Sequence, residues 1–229
     1  HNQSRRQRQM CIRDRFVMFP FSLYKGCDYW VPPIISEELE SMDKEKNPVF
    51  ENAEAEFYIA KKDGVTVGRI AAMVNWVEIE EQKKNKLRFG WYDTIDDLEV
   101  SKKLLESVIE FGKKRKLEFV DGPVGFSNMD KAGLLIDGYE ELNTMITWYH
   151  YPYQKEHLKK LGFSKLAEWV EYKIKIFSAE DAPEKVKKFS KIIQQRYELK
   201  VLNFKSRKEI IPYVDKMFEL LNVTYSNLQ

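Results

Sequence analysis

One stretch near the middle of the chain constrains the fold more than any other. Residues 87–126 comprise an aromatic and β-branched run, a run with helical periodicity, and a second β-rich run. The apolar residues of the middle run recur at helical spacing: Leu98, Leu104, Leu105, Val108, Ile109 and Phe111. Charged residues fill the positions between them. The stretch predicts a strand, an amphipathic helix and a second strand, the two strands being parallel or next-but-one neighbours in one sheet.

A ligand site is expected at the carboxyl end of the first of these strands. There, from Asp93 to Leu98, the chain turns into the helix. Free amides at a helix start point outward and attract anions. The same residues suit helix capping, because Asp93, Asp96 and Asp97 are carboxylates that accept hydrogen bonds from such amides.

The first fifteen residues differ from the rest of the chain. Residues 1–15 carry five arginines and no hydrophobic period. They could form a basic arm for nucleic acid or anionic lipid. They also resemble translated adaptor sequence, so we interpret 1–15 as a non-native or disordered segment. Without this segment, the net charge changes from +2 to a slightly negative value.

Composition excludes several classes of function. With 43% hydrophobic residues the chain can bury a full core, and its near-neutral charge does not favour nucleic acid as a partner. No apolar run is long enough for a transmembrane segment. Only two cysteines occur and no secretory signal precedes them, which favours a cytoplasmic protein.

Strands and helices are also predicted on both sides of the central stretch. Residues 55–75 predict a hairpin that turns at Asp63 and Gly64, and a short helix is expected from Ser36. The aromatic residues that precede this helix are expected to fold over a sheet edge. The charged run 78–86 predicts a solvated connection.

The last third predicts a helix, a strand and a further set of helices. A helix is expected from Pro152, and the alternation in 164–177 predicts a half-exposed strand that closes the sheet. Beyond it we expect a helix to about Gln195, a short strand at 199–204, and a last helix interrupted by Pro212. The apolar face of that helix predicts that the natural protein continues past the last residue.

The order of these elements resembles the acyl-CoA N-acyltransferase fold of the GNAT superfamily. Motifs spread over 16–229 are similar to a bacterial GNAT-like family of two fused acyltransferase-type domains, with members linked to N-acylation of sphingoid bases: FPFSLYKGCDYWVPP, KNPVFENAEAEFYIA, GRIAAMVN, FGWYDTIDDLEV, GLLIDGY and YPYQKEHLKKLGF. The resemblance implies an α/β (α+β) fold with a mixed, mostly antiparallel sheet flanked by helices. It implies one domain over 16–177 and the start of a second over 178–229, whose C-terminal remainder is missing.

The resemblance also implies a function. The expected activity is acyl transfer from acyl-CoA, or an acyl carrier, to a small-molecule or lipid-like amine, in the cytoplasm or at the inner-membrane surface. The alternative is a non-catalytic scaffold or lipid-binding half of a two-domain protein. The superfamily's glycine-containing phosphate loop has no counterpart at 93–98, where no glycine occurs. A hydrolase or metalloenzyme is not supported, because no Ser-His-Asp order or metal-ligand cluster is present.

Candidate site residues follow from the same motifs. For catalysis we expect His150, Tyr151 and Tyr153, whose segment can equally be an aromatic patch under the sheet edge. His157 is expected to be solvated. For contacts to the acyl-CoA co-substrate we expect the following residues: Tyr92, Thr94, Asp96 and Asp97. For the acceptor we expect Asn128 and Asp130, which also suit a turn.

Overall fold

The chain forms two compact units, His1–Glu168 and Trp169–Gln229. The computed structural model describes residues 2–127, 129–144, 146–175, 178 and 180–225, and within 2–11 the backbone alone. No helix within these ranges is long and apolar enough to cross a membrane.

The first unit is a four-stranded sheet with helices on both faces. Its strands are β1 (Ala53–Lys62), β2 (Val65–Asn75), β3 (Lys86–Thr94) and β4 (Phe119–Asp121). Its helices are α1 (Asn2–Leu23), α2 (Ile35–Ser41), α3 (Trp76–Glu80), α4 (Leu98–Lys114) and α5 (Pro152–Lys160), with a 3₁₀ turn at Pro48–Glu51.

The sheet order is β1-β2-β3-β4, with two antiparallel pairings followed by one parallel pairing. The hairpin turns at Asp63 and Gly64, both with positive φ, as this dipeptide predicts. Helix α4 connects β3 to β4, which makes the central stretch a parallel strand-helix-strand unit. The predicted fold class is therefore confirmed: a mixed, mostly antiparallel sheet flanked by helices.

Helix α4 covers one face of the sheet. Its residues Leu104, Leu105 and Val108 pack against a group of buried side chains that includes Ile70 and Phe89. Each is almost fully excluded from water. Burial of such side chains is worth about 1.5–3 kcal/mol each, so this layer dominates the stability of the unit.

Helix α1 covers the opposite face. Phe16 and Val17 are buried against Ala71, Met73 and Trp91 of the sheet. The first residues of the aromatic segment therefore lie on a sheet face, whereas the sequence predicted that the segment folds over an edge. A helix presents several consecutive turns to a sheet face, which buries more apolar surface than an edge contact would.

The charged run after β2 is partly buried, which corrects the prediction of a solvated connection. Glu78 lies in α3 and is 5% exposed. Its carboxylate accepts two hydrogen bonds from Arg88, at 2.7 and 2.6 Å, and pairs with Lys86 at 3.1 Å. Burial alone would raise the pKa of Glu78, but these two cations lower it below its ordinary value. The two ends of the run, Glu78 and Lys86, thus join Arg88 of β3 in a buried ion cluster.

The predicted closing strand is wrong for the part of it that the structure describes. Residues 164–175 form neither a strand nor a helix, and their apolar side chains, such as Tyr172 and Ile174, are largely exposed. Residues 176 and 177 lie outside the described residues. Alternation predicts a strand only when a neighbour supplies hydrogen-bond partners, and β4 offers just three residues at this edge.

The regular elements of the second unit, in the part that the structure describes, are helices. It contains α6 (Glu184–Arg196), α7 (Arg207–Ile210), a 3₁₀ turn at Ile211–Tyr213 and α8 (Val214–Tyr225). The predicted break at Pro212 is confirmed. The short strand expected at 199–204 is wrong, since this segment is irregular. The apolar face of α6 is half exposed: Val186, Phe189, Ile192 and Ile193.

Candidate functional site

The carboxyl end of β3 is irregular and is held by side chains. The β2–β3 register shifts between Arg69 and Ala71, and Trp91 opposite this bulge has a φ of +48°. A positive φ is unfavourable for a bulky residue and costs of order 1–3 kcal/mol. The indole of Trp91 donates a hydrogen bond to Glu38 at 2.7 Å, which helps to hold this conformation.

Beyond the bulge, α5 takes the place of a neighbouring strand. Parallel pairing of β3 with β4 ends at Arg88. Further along, the Gln154 side chain donates to the carbonyl of Tyr92 at 3.0 Å, and the Tyr153 hydroxyl donates to the carbonyl of Thr94 at 2.6 Å. The two strands thus separate where α5 begins, and side chains satisfy the backbone of β3.

A buried ion pair lies under α1 at this end of the sheet. Arg69 and Asp93 are cross-strand partners joined at 2.7 Å, with side chains only 4% and 8% exposed. Arg69 also donates to the carbonyl of Phe16 at 3.0 Å, and the Tyr24 hydroxyl donates to Asp93 at 2.6 Å. Burial and the Asp93 carboxylate raise the pKa of Tyr24, which remains a neutral donor. This network fixes α1 to β2 and β3.

His150, the predicted base, lies in the interior. It is 1% exposed, and its Nδ1 accepts a hydrogen bond from the amide of Leu135 at 3.3 Å. Burial lowers its pKa to about 4, with Asp93 opposing and Arg69 adding to the effect. The imidazole is therefore neutral at physiological pH and presents no open face to a substrate in this conformation.

The two predicted tyrosines stack on each other beside the network. The rings of Tyr151 and Tyr153 are 5.7 Å apart. The Tyr153 hydroxyl is committed to Thr94, and burial raises its pKa. Tyr151 is half-buried and contacts the ring of Tyr24 at 5.2 Å. The structure thus gathers all three predicted catalytic residues around the end of β3, mainly through aromatic packing.

A second polar chain lies on the α4 face of β3. The Tyr92 hydroxyl donates to Ser101 at 2.9 Å, Ser101 contacts Nδ1 of His157 at 2.8 Å, and Nε2 of His157 lies 3.2 Å from Asp96. His157 is 4% exposed, so the prediction that it is solvated is wrong; its helix face turns inward against α4. Ser101 is fully buried, so these three residue types do not form an accessible nucleophile.

The start of α4 is capped as predicted. Asp97 is the N-cap, and its carboxylate accepts from the amide of Glu99 at 3.0 Å and from Lys62 at 3.1 Å. These bonds lower the pKa of Asp97. Of the four residues predicted to contact the co-substrate, Tyr92 and Thr94 are buried and hydrogen-bonded internally, while the side chain of Asp96 is 71% exposed.

A pocket of about 380 Å³ opens on the α1 face beside the bulge. One wall is aromatic and consists of Trp91, Phe126 and Trp148, whose rings lie about 6 Å apart. The charged side chains that line it come from α2 and from the loop after β4: Glu37, Glu38, Asp130 and Lys131. The pocket thus combines a flat apolar surface with a predominance of negative charge.

The two predicted acceptor contacts lie in the loop after β4. Asp130 lines the pocket, and its carboxylate also accepts from the amide and hydroxyl of Ser127, at 2.8 and 3.2 Å. The predicted turn role of Asp130 is confirmed. Asn128 lies outside the described residues.

Several residues at this end of the sheet were not predicted from the sequence. Arg69 and Lys131 carry no local pattern that signals a position beside a pocket, and Gln154 carries none that signals burial against β3. Tyr24 and Trp148 lie in segments dense in aromatic residues, and that density was the one available signal. It pointed to a core or a groove without indicating which residues would form it.

The chain is similar to two curated bacterial proteins. It is 31% identical over 160 residues to Protein YghO of Escherichia coli (strain K12), an alignment that covers 68% of this chain and 41% of that protein. It is 24% identical over 161 residues to Bacterial ceramide synthase of Caulobacter vibrioides (strain NA1000 / CB15N), covering 69% and 42%. The chain thus spans about two fifths of the length of each relative. No protein-family model and no solved structure matches it significantly.

Proposed function

We propose that this chain is part of an N-acyltransferase that transfers an acyl group from acyl-CoA, or from an acyl carrier, to a long-chain lipid-like amine. The similarity to a protein named bacterial ceramide synthase supports the reaction type, since a ceramide is the N-acyl derivative of a long-chain amino alcohol. The place of action is the cytoplasm or the inner-membrane surface.

The pocket beside the β3 bulge is the observation that carries this proposal. An alkylammonium needs negative charge around its head and an apolar surface along its first carbons. Glu37, Glu38 and Asp130 supply the charge, and Trp91 and Trp148 supply both apolar area and ring faces that attract cations. A nucleotide or another anion would meet repulsion from the same carboxylates.

The reaction would proceed by direct attack of the neutral amine on the thioester carbonyl. The C–N bond forms, the C–S bond breaks, the thiolate leaves, and the amine loses one proton overall. Holding the amine and the thioester together removes most of the entropic barrier. A backbone amide between Gly90 and Tyr92 would polarise the carbonyl, a role that suits the displaced backbone at the Trp91 bulge.

The diphosphate of acyl-CoA is not expected to lie on the start of α4. Asp96 and Asp97 place two carboxylates there. The side chains of Tyr92 and Thr94 are buried and contact Ser101 of α4. We therefore propose that the thioester end of the donor approaches the Trp91 bulge from the pocket, and that its phosphates contact other residues. The co-substrate contacts predicted for these four residues stay a prediction.

A thiol-release assay tests the proposal. Purified protein is mixed with a panel of acyl-CoA donors of different chain length, with and without long-chain amines. We expect thiol release that requires the amine. Release that is absent with every donor, or that is the same without amine, would remove the proposal in favour of a non-catalytic role or of hydrolysis.

A pair of variants on α2 tests the assignment of the pocket. Glu38→Gln removes a carboxylate that lines the pocket, and it should raise the KM for the amine roughly fivefold, or ~1 kcal/mol. Glu40→Gln is the matched control, because Glu40 is exposed on the same helix and its one ion pair, with Lys46, is also exposed. Equal effects of the two substitutions would contradict the placement of the amine.

A further inference from the structure

Lys131 is half-buried at the wall between two pockets. It lines the large pocket beside Trp91 and Trp148, and it also lines a small neighbouring pocket that contains Arg69 and Asp93. Among the residues that the structure describes, the Lys131 ammonium makes no ion pair and no hydrogen bond. Among the described residues no fully buried side-chain nitrogen or oxygen lacks a hydrogen bond, so the Lys131 ammonium reaches the accessible space of the pockets while its aliphatic stem is buried.

Charged groups of both signs face Lys131 from the surrounding elements. Burial lowers the pKa of Lys131, and Arg69 on β2 adds to this effect. Glu38 on α2 and Asp93 on β3 oppose it. Two further carboxylates, Glu37 and Asp130, line the same pocket. Burial outweighs the nearby acids, and a larger fraction of Lys131 is uncharged at physiological pH than is usual for a lysine.

We propose that Lys131 is the group that takes the proton from the ammonium of the acceptor bound in the large pocket. This inference rests on the proposed function and names the proton acceptor for it. Lys131 lies in the loop after β4 and lines the same pocket as Glu37 and Glu38 of α2.

The proton balance is simple. The substrate enters as R–NH₃⁺, and neutral Lys131 accepts one proton to give R–NH₂ and a lysine ammonium. The amine nitrogen then attacks the thioester carbonyl, and the tetrahedral intermediate expels the thiolate. The ammonium thus loses two protons in all, one to Lys131 before attack and one from the nitrogen after the C–N bond forms. One of these protons ends on the thiolate and the other is released to solvent. Lys131 returns to its neutral state.

The other ionisable groups near the pocket are less suited to this step. Proton transfer is efficient when the pKa values of donor and acceptor are close. The lysine side chain is itself an alkylamine, so its ordinary pKa is close to that of an alkylammonium substrate, whereas the ordinary pKa of a carboxylate is about six units lower. His150 has a pKa of about 4, is 1% exposed and does not line the pocket.

Substitutions by arginine and methionine distinguish a proton acceptor from a simple positive charge. An arginine keeps the charge but remains protonated at any physiological pH. If Lys131 accepts a proton, Lys131→Arg and Lys131→Met should each lower kcat roughly 10²-fold or more, with a much smaller change in the KM for the amine. In both variants kcat should follow the ionisation of the amine substrate itself, so that its acidic limb extends to higher pH than in the wild type. Lys102→Met, at an exposed position of α4, is the control.

A titration tests the same residue without any turnover. Lysines are reductively methylated with ¹³C-formaldehyde, and the resonance absent from Lys131→Arg identifies Lys131. We expect it to titrate at lower pH than the bulk of the lysine resonances. Titration together with the bulk, or full activity of Lys131→Arg, would overturn the role of Lys131 and leave the acyltransferase proposal intact. Absence of acyl transfer in the wild type would instead remove the proposed function on which the role rests.

Discussion

Replacing Arg69 by methionine should destabilise the first unit by about 3 kcal/mol. The substitution leaves the Asp93 carboxylate buried without its ion pair at 2.7 Å. Removing one partner of a buried pair costs about 3–5 kcal/mol. Tyr24 still donates to Asp93, and a hydrogen bond to a charged group retains about 1.5–3 kcal/mol, so we expect a value at the lower end.

Chemical denaturation followed by tryptophan fluorescence measures this loss. Trp91 and Trp148 lie close to the pair and report on the unit that contains it. We expect a lower midpoint at an unchanged m-value, because the same surface is exposed on unfolding. Lys103→Gln is the control: it breaks the exposed ion pair with Glu106 and should leave the midpoint unchanged.

A double variant separates loss of charge pairing from loss of packing. Arg69→Met combined with Asp93→Leu leaves no unpaired buried charge, and Tyr24 can still donate to the carbonyl of Tyr149. The double variant should recover about 1–3 kcal/mol relative to Arg69→Met alone. A loss below ~1 kcal/mol in the single variant, or no recovery in the double variant, would refute the view that this pair is a buried charge cluster.

Three further predictions concern single residues. His150→Phe should flatten the pH dependence of stability between about pH 6.5 and 4. Because the pKa of His150 is lowered in the folded state, the unfolded state binds the proton first as pH falls, which costs the wild type up to about 3 kcal/mol across this window. Denaturation at stepped pH measures this loss. Glu78→Gln should flatten the pH dependence of stability at more acidic pH. Because the pKa of Glu78 is lowered in the folded state, its carboxylate stabilises the fold above the ordinary carboxyl pKa, and this stabilisation is lost as pH falls through the folded pKa. An unchanged loss of stability in acid would contradict this. Gly90→Ala should lower the melting temperature by an amount that corresponds to about 1–3 kcal/mol, because the added methyl group would collide with the carbonyl oxygen of Val124. An unchanged melting temperature would contradict the close approach of these two segments.

Elements specified by local sequence were predicted well. The hairpin at Asp63, the amphipathic α4 and the break at Pro212 each depend on residues that are close in sequence. The strand expected at 164–177 was not found in its described residues, because a strand needs a partner that its own alternation does not specify. Periodicity predicts which residues prefer burial, and the available edge decides whether they pair.

The site was less predictable than the fold because its contacts join distant segments. Tyr24 and Asp93 are 69 residues apart, and Ser101 and His157 are 56 apart. His157 lies among lysines in the sequence and was expected in solvent, yet the turn of α5 directs it against α4. For Lys131 no sequence pattern distinguishes a half-buried amine from an ordinary surface lysine. Long-range packing alone brings these groups to the end of β3.

Product analysis by mass spectrometry shows directly whether the protein forms an amide bond. The purified protein is incubated with a long-chain acyl donor and either a long-chain amino alcohol or the matched alcohol that lacks nitrogen. We expect an N-acyl amide with the first acceptor, one thiol released per amide, and no ester with the second. Failure to form an amide with any donor, or acylation of the alcohol as readily as of the amine, would contradict the proposed function.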